Sequence, residues 1–146
     1  MKKQISPASQ KKGGDIAQKK EIKKRILIAD DDPGIQEIFT LIFERAGFTV
    51  DMKMNGEDLV KNKFFLPDIF LIDKQLSGYD GLEICRQLKS RKQTEHIPVI
   101  MVSAAPDIAV LSKEAGADDY IEKPFEIKEL LALVNRYVNG KADNHK

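Results

Sequence analysis

The stretch FLIDKQLSG, residues 70–78, joins an apolar run to an abrupt polar end. The run from Ile69 to Ile72 is typical of a strand that is buried on both faces. It stops at Asp73, where a carboxylate could simply begin a turn or cap the next helix. The same carboxylate could instead be a functional group carried to the end of a strand. The rest of the sequence decides between these interpretations.

Apolar runs alternate with helical patterns on both sides of this stretch. We predict strands at 25–29, 48–53, 69–73, 99–102 and 119–122. Apolar residues recur at helical spacing between the strands and again over 127–137, whereas residues 55–65 give the weakest helical pattern. This alternation predicts an α/β domain with a parallel sheet and five helices on its two faces. Right-handed crossovers then place the carboxyl ends of all strands on one edge, where ligands bind in such sheets.

Composition and charge divide the 146 residues into a leader and one globular domain. The chain is 42% hydrophobic and 32% charged, which is typical of soluble domains. Residues 1–25 carry a charge of +7, whereas residues 26–146 carry −6. We expect residues 1–24 to form a basic, disordered leader that is not a signal peptide, 25–139 the folded domain and 140–146 a polar tail.

The sequence also predicts the cellular compartment. No apolar run approaches the roughly 18 residues that span a bilayer, so we expect no membrane span. The lone Cys85 excludes an internal disulfide and fits a reducing compartment. Its helical spacing from Leu82 and Leu88 favours a small core residue over a nucleophile. We therefore expect a cytoplasmic protein.

Polar residues follow four of the five predicted strands at the carboxyl edge. They are Asp30, Asp31 and Asp32 after the first strand, Asp73 after the third, Ser103 after the fourth and Lys123 after the fifth. Neighbouring carboxylates repel one another unless a cation lies between them. Oxygen ligands without His or Cys favour a hard ion, and a site completed by water and phosphate favours Mg²⁺.

Four segments in this order resemble the receiver domain of bacterial two-component response regulators, of the stand-alone, chemotaxis-regulator type. The segments are ILIADDDP (26–33), PDIFLIDKQLSGYDG (67–81), VIMVSA (99–104) and GADDYIEKPF (116–125). The resemblance covers about residues 25–138. It implies a flavodoxin-like, doubly wound sheet of strand order 2-1-3-4-5, flanked by five helices.

The resemblance also implies a role for each polar residue at the edge. Asp73 would be the phosphoacceptor, with Lys123 and Ser103 contacting the phosphoryl oxygens. Asp31, Asp73 and the backbone carbonyl of Gln75 would bind Mg²⁺ directly, and Asp30 would bind it through water. Relatives hold the peptide bond that corresponds to Lys123–Pro124 in the cis form, an isomer that sequence cannot reveal.

The resemblance also implies residues that would transmit a signal from the site, and it shows where this sequence departs from the family pattern. Ser103 and Tyr120 would couple the site to a partner surface on the fourth helix, fifth strand and fifth helix, where Ile108 was also expected. Asp32 is interpreted as a helix cap before Pro33. Ser77 stands where relatives usually have proline, which suggests a less rigid loop.

The expected function is a phosphorylation switch that takes its phosphate from a sensor histidine kinase or histidine phosphotransfer protein. It would catalyse its own phosphorylation and dephosphorylation without being an enzyme toward other substrates. The short segment after Pro124 leaves no room for a DNA-binding domain, so we expect output through an unknown downstream protein. One alternative is a receiver-like binding module that acts independently of phosphate. Another is an aspartyl phosphatase or phosphotransferase, although Gln75 stands where many such enzymes have a second aspartate.

Overall fold

The computed structural model describes residues 23–139. These residues form one parallel sheet with helices on both faces. We label the strands of this sheet β1 (Arg25–Ala29), β2 (Thr49–Lys53), β3 (Ile69–Asp73), β4 (Val99–Ser103) and β5 (Asp119–Glu122). Their spatial order is β2-β1-β3-β4-β5, with every pairing parallel. The predicted doubly wound, flavodoxin-like fold is therefore confirmed. The predicted tail and nearly all of the predicted leader lie outside the described residues.

Five helices connect or follow the strands. They are α1 (Pro33–Arg45), α2 (Glu57–Val60), α3 (Gly81–Ser90), α4 (Ile108–Ala115) and α5 (Ile127–Val138). A separate two-stranded hairpin, Gln75–Leu76 with Tyr79–Asp80, lies between β3 and α3. We call it the β3–α3 hairpin. Within residues 23–139, no helix has the length and apolar character needed to cross a membrane.

The central strand β3 contributes side chains to the core on both faces of the sheet. Phe70 and Ile72 face one layer, where they pack with α3 and α4, whereas Ile69 and Leu71 face the layer beneath α1 and α5. All four side chains are fully buried. Burying an aliphatic or aromatic side chain of this size stabilises a fold by about 1.5–3 kcal/mol. The apolar run quoted first is therefore the middle of the domain, as the sequence predicts.

The start of α1 confirms the prediction for Asp32. Its carboxylate accepts hydrogen bonds from the backbone N–H groups of Gly34 and Ile35, at 2.8 and 3.2 Å, and Pro33 occupies the first helical position. Such a cap satisfies amides that would otherwise lack a partner at the helix start. Asp32 is thereby committed to the helix.

Helix α2 is much shorter than the segment 55–65 suggested, with four residues. The Asn55 side chain accepts a hydrogen bond from the Glu57 N–H at 2.9 Å, so Asn55 does help to start the helix. The helix ends where Asn62 adopts the left-handed backbone conformation, with a φ of 60°. Arg91, from the loop after α3, caps this end. Its guanidinium donates to the carbonyls of Leu59 and Val60, each at 3.0 Å. A tertiary contact thus satisfies carbonyl groups that a further helical turn would have used.

Candidate functional site

The phosphoacceptor candidate Asp73 lies at the carboxyl end of β3, between β1 and β4. Its side chain is 12% exposed, and its Oδ2 lies 3.2 Å from the Nζ of Lys123. The N–H of Gln75 donates to the other carboxylate oxygen at 3.2 Å. These two contacts orient the carboxylate.

This carboxylate opens onto a cleft of about 470 Å³ at the carboxyl edge of the sheet. The cleft is lined by Asp31, Asp32, Asp73, Lys74, Gln75, Ser103, Ala104, Ala105 and Lys123. The structure therefore brings together the candidate residues that follow the first, third, fourth and fifth strands.

Asp30 lies beneath the cleft and is only 2% exposed. The pKa of its carboxyl is raised to about 6, mainly by burial and in smaller part by the nearby Asp73 carboxylate. A hydrogen bond from the Asp32 N–H at 2.9 Å, together with the charge of Lys123, opposes the increase. The amide of Gln36 donates to the Asp30 backbone carbonyl at 2.6 Å and holds this loop on α1. Two neighbouring carboxylates in such a setting favour a nearby cation.

Ser103 and Lys123 are linked through the backbone. The Lys123 N–H donates to the Ser103 carbonyl at 2.8 Å, which fixes the loop after β5 against the end of β4. The Ser103 hydroxyl is nearly buried and accepts a hydrogen bond from the Ala105 N–H at 2.9 Å. The Lys123–Pro124 peptide bond is cis.

Asp31 lines the cleft, and one of its carboxylate oxygens is hydrogen-bonded to the β3–α3 hairpin. Its Oδ2 accepts a hydrogen bond of 2.6 Å from the hydroxyl of Ser77. Among residues 23–139, no three His, Cys, Asp or Glu side chains come close enough to hold a metal by themselves. The three carboxylates expected to share one cation thus comprise a close pair, Asp30 and Asp73, and a third that is held by Ser77.

The donor set nevertheless fits Mg²⁺. This ion usually keeps several waters and needs only one or two carboxylates from the protein. Asp31 and Asp73 line one cleft with Gln75 and meet that requirement with oxygen ligands only, and Asp30 lies close to Asp73. The close placement of two carboxylates also supplies the excess negative charge that a cation would offset.

Two structural residues of the site carry no clear signal in the sequence. Gly81 begins α3, and a Cβ on it would lie 2.1 Å from the backbone oxygen of Asp73. Its N–H donates to the Lys74 carbonyl at 2.7 Å, so the helix start packs directly on the segment that carries Asp73. Ser77 is the other, because its spacing from Asp31 suggested no contact. The Asp80–Gly81 pair is a common turn signal, but such a signal does not indicate that two backbones approach each other closely.

The partner surface expected on α4, β5 and α5 is only partly as predicted. Tyr120 is 38% exposed, and it borders a shallow groove with Glu122, Glu129 and Arg136. Ile108 was expected on this surface, but it is 1% exposed. That expectation is wrong, since the first turn of α4 points its isoleucine into the core layer shared with α3.

Cys85 lies on the buried face of α3, as predicted from its spacing. Burial raises the pKa of its thiol to about 11, although the neighbouring charge of Lys89 opposes this increase. A thiol with such a pKa carries almost no thiolate at neutral pH and is a poor nucleophile. Cys85 is therefore part of the core.

Comparisons with known proteins agree with this fold. A family model described as response regulator receiver domain matches residues 26–135. The DNA-binding response regulator MtrA of Mycolicibacterium smegmatis is 35% identical over 125 residues, covering 84% of this chain and 54% of that protein. The chain spans about half the length of the curated relatives it matches.

Solved structures give the same result. The signal receiver domain of a signal transduction histidine kinase from Syntrophus aciditrophicus is 33% identical, with a TM-score of 0.73 over 80% of this chain and 91% of that chain. The receiver domain of sensor histidine kinase PA1611 from Pseudomonas aeruginosa, solved with magnesium coordinated in its active site cleft, is 24% identical. It shares the fold, with a TM-score of 0.73 over 80% of this chain and 98% of that chain.

This chain belongs to the response regulator receiver domain family. Receiver domains are signalling modules of two-component regulatory systems, and the order of the strands here is that of the family fold.

Proposed function

We propose that this receiver domain accepts a phosphoryl group on Asp73 from a phosphohistidine of a sensor kinase or a histidine phosphotransfer protein. One observation carries the proposal. The Asp73 carboxylate faces an open polar cleft with the Lys123 ammonium 3.2 Å away, although 50 residues separate them in sequence. A carboxylate that is fixed, accessible and paired with a lysine can act as a nucleophile toward phosphorus.

The transfer of the phosphoryl group from histidine to Asp73 is a displacement at phosphorus. An oxygen of Asp73 forms a new O–P bond while the N–P bond of the phosphohistidine breaks. The imidazole nitrogen keeps the electron pair of that bond and takes a proton from solvent. The product is an aspartyl phosphate whose charge the Lys123 ammonium partly offsets. The Ser103 hydroxyl, at the end of the neighbouring strand, accepts a hydrogen bond from the Ala105 N–H and would donate its own proton to a phosphoryl oxygen.

We propose that Mg²⁺ is held by Asp31, Asp73 and the Gln75 carbonyl, with Asp30 bound through water. Bound there, it would supply positive charge against the oxygens of the phosphoryl group in transit. The Asp30 carboxylate, buried beside Asp73, would keep an ordered water next to the ion. Lys123, which is paired with Asp73, would contact the phosphoryl group from the β5 side.

Output is proposed to occur on the face formed by α4, β5 and α5. Ser103 and Glu122 are paired in the β4–β5 ladder, and Tyr120 lies two residues earlier on the same edge strand. Phosphorylation adds close to two negative charges, but their direct field is screened within about 8 Å at physiological salt. A packing change through Ser103 and Tyr120 would therefore carry the signal to a partner protein.

Phosphorylation by a small donor tests the proposal. With acetyl phosphate and MgCl₂, intact-protein mass spectrometry should show the addition of one phosphoryl group to the wild type. Asp73→Asn should show none. Asp107→Asn is the matched control, because Asp107 is exposed beside α4 and makes no capping bond with its side chain. Equal phosphorylation of wild type and Asp73→Asn would overturn the assignment.

A further inference from the structure

We propose that Ser77 is a positioning residue that fixes the rotamer of the Asp31 carboxylate beside the proposed metal position. The Ser77 hydroxyl donates to Asp31 Oδ2 at 2.6 Å, across 46 residues of sequence. Among residues 23–139, this is the one hydrogen bond that any group makes to the Asp31 side chain. The inference rests on the proposed function and assigns to Ser77 a role in metal affinity.

The β3–α3 hairpin holds Ser77 in place. Ser77 and Gly78 form its turn, and Gly78 has a φ of 76°, a conformation that glycine adopts without strain. Leu76 anchors the hairpin because its side chain is 5% exposed and lies in the core layer with α3. At the base of the hairpin, the Gly81 N–H donates to the Lys74 carbonyl. The turn is therefore attached to the core on both sides.

Asp31 lines two neighbouring clefts. One, of about 340 Å³, contains Ser77 and Tyr79, and the other contains Asp73 and Lys123. The hydroxyl of Ser77 donates a hydrogen bond to Oδ2 of Asp31. The lone pairs of the other carboxylate oxygen, Oδ1, are left available for the ion. Such partners behind a ligating carboxylate fix its rotamer and raise its affinity for metal.

The charge on Asp31 makes this contact stronger than an ordinary surface hydrogen bond. A hydroxyl that donates to an ionised carboxylate forms a short bond, and 2.6 Å lies within the usual range. Both partners are accessible to water, so the effect should be smaller than the 10- to 100-fold typical of buried partners. We expect that losing the hydroxyl weakens Mg²⁺ binding by about 3- to 10-fold.

The experiment is a titration with Mg²⁺ alone, followed by backbone NMR shifts of the cleft residues. Ser77→Ala should raise the Kd by that factor, while Ser77→Thr, which keeps the hydroxyl, should stay within about twofold of the wild type. Ser90→Ala is the matched control, because Ser90 is exposed and its hydroxyl donates to the Gln87 carbonyl, within α3. Melting temperatures in EDTA should agree among the wild type and all three variants, which separates positioning from folding.

Each contrary result has a distinct meaning. An unchanged Kd in Ser77→Ala, or tighter binding, would overturn the role of Ser77 and leave the proposed phosphoacceptor intact. A Ser77→Thr variant as weak as Ser77→Ala would also overturn it, because the hydroxyl would not be the group responsible. If the wild type fails to bind Mg²⁺ at millimolar concentration, both this inference and the proposed metal site fall.

Discussion

Lys123 Nζ lies 3.2 Å from Asp73 Oδ2, so the ends of β3 and the loop after β5 meet through one ion pair. The side chains are 30% and 12% exposed, which leaves the pair accessible to a donor but partly shielded from water. The Lys123 backbone is also bonded to Ser103. The lysine is thus placed by β4 and directed at the carboxylate of β3.

Removing that charge should slow phosphorylation. We expect Lys123→Ala to reduce the rate with acetyl phosphate by at least about 10-fold, approaching the 10²- to 10³-fold typical for the loss of one charge-stabilising donor. Lys113→Ala, which removes an exposed lysine of α4, should react at the wild-type rate. The initial rate of mass gain measures the effect, and an unchanged rate in Lys123→Ala would exclude a role for the ammonium in transfer.

A second prediction concerns the glycine that packs on the phosphoacceptor. In Gly81→Ala the new Cβ would meet the Asp73 backbone oxygen at 2.1 Å, so the start of α3 must shift. We expect a loss of about 1–3 kcal/mol in the free energy of unfolding and slower phosphorylation, because the carboxylate is displaced with its backbone.

Urea denaturation and acetyl phosphate kinetics check this pair of effects. Gly116→Ala is a suitable control, since it forces alanine into a φ of 87° at the end of α4, away from the cleft. It should lose about 1–2 kcal/mol yet phosphorylate normally. Normal kinetics in Gly81→Ala would show that the Asp73 backbone tolerates the shift.

The reactivity of Cys85 tests the core. Because burial raises its thiol pKa to about 11, the thiolate fraction is very small at pH 8 and increases only as the pH rises toward 11. The native protein should therefore react with a disulfide reagent far more slowly than urea-unfolded protein at pH 8. Absorbance of the released thiol follows the reaction at the one cysteine of the sequence. Comparable native and unfolded rates would contradict the packing of α3.

The output face provides a fourth prediction. If the Ser103 hydroxyl moves to bind the phosphoryl group, the β4–α4 loop that is bonded to it through the Ala105 N–H must rearrange. Phosphorylation of the wild type should then change hydrogen exchange in α4, β5 and α5. Ser103→Ala should still be phosphorylated but show little of this change, whereas Ser103→Thr should retain it. Equal changes in wild type and Ser103→Ala would place the switch elsewhere.

The positions of Asp30 and Asp73 could be predicted from the sequence because parallel strands bring their carboxyl ends to one edge. Local patterns of residues were enough to predict the burial of the strands, the cap at Asp32 and the place of Cys85 in the core. The length of α2 could not be predicted, since its end combines a left-handed backbone at Asn62 with the Arg91 contact, which forms only in the folded state. Ile108 was assigned to the surface because its helical pattern did not reveal which layer α4 covers.

The hydrogen bond between Ser77 and Asp31 was equally beyond sequence reasoning. It depends on the register of the β3–α3 hairpin and on one side-chain rotamer. Nothing in the spacing of these residues indicates either feature. The candidate ligands can be predicted from the ends of the strands, whereas the orientation of their side chains depends on contacts between loops.

The most direct test of the central claim maps the phosphate to a residue. Wild-type protein treated with acetyl phosphate and MgCl₂ should be reduced with borohydride, which converts an aspartyl phosphate to homoserine, and then digested for tandem mass spectrometry. We predict homoserine at position 73, and at no other aspartate, with none when MgCl₂ is replaced by EDTA. Homoserine at Asp30, Asp31 or another position, with Asp73 unchanged, would contradict the account.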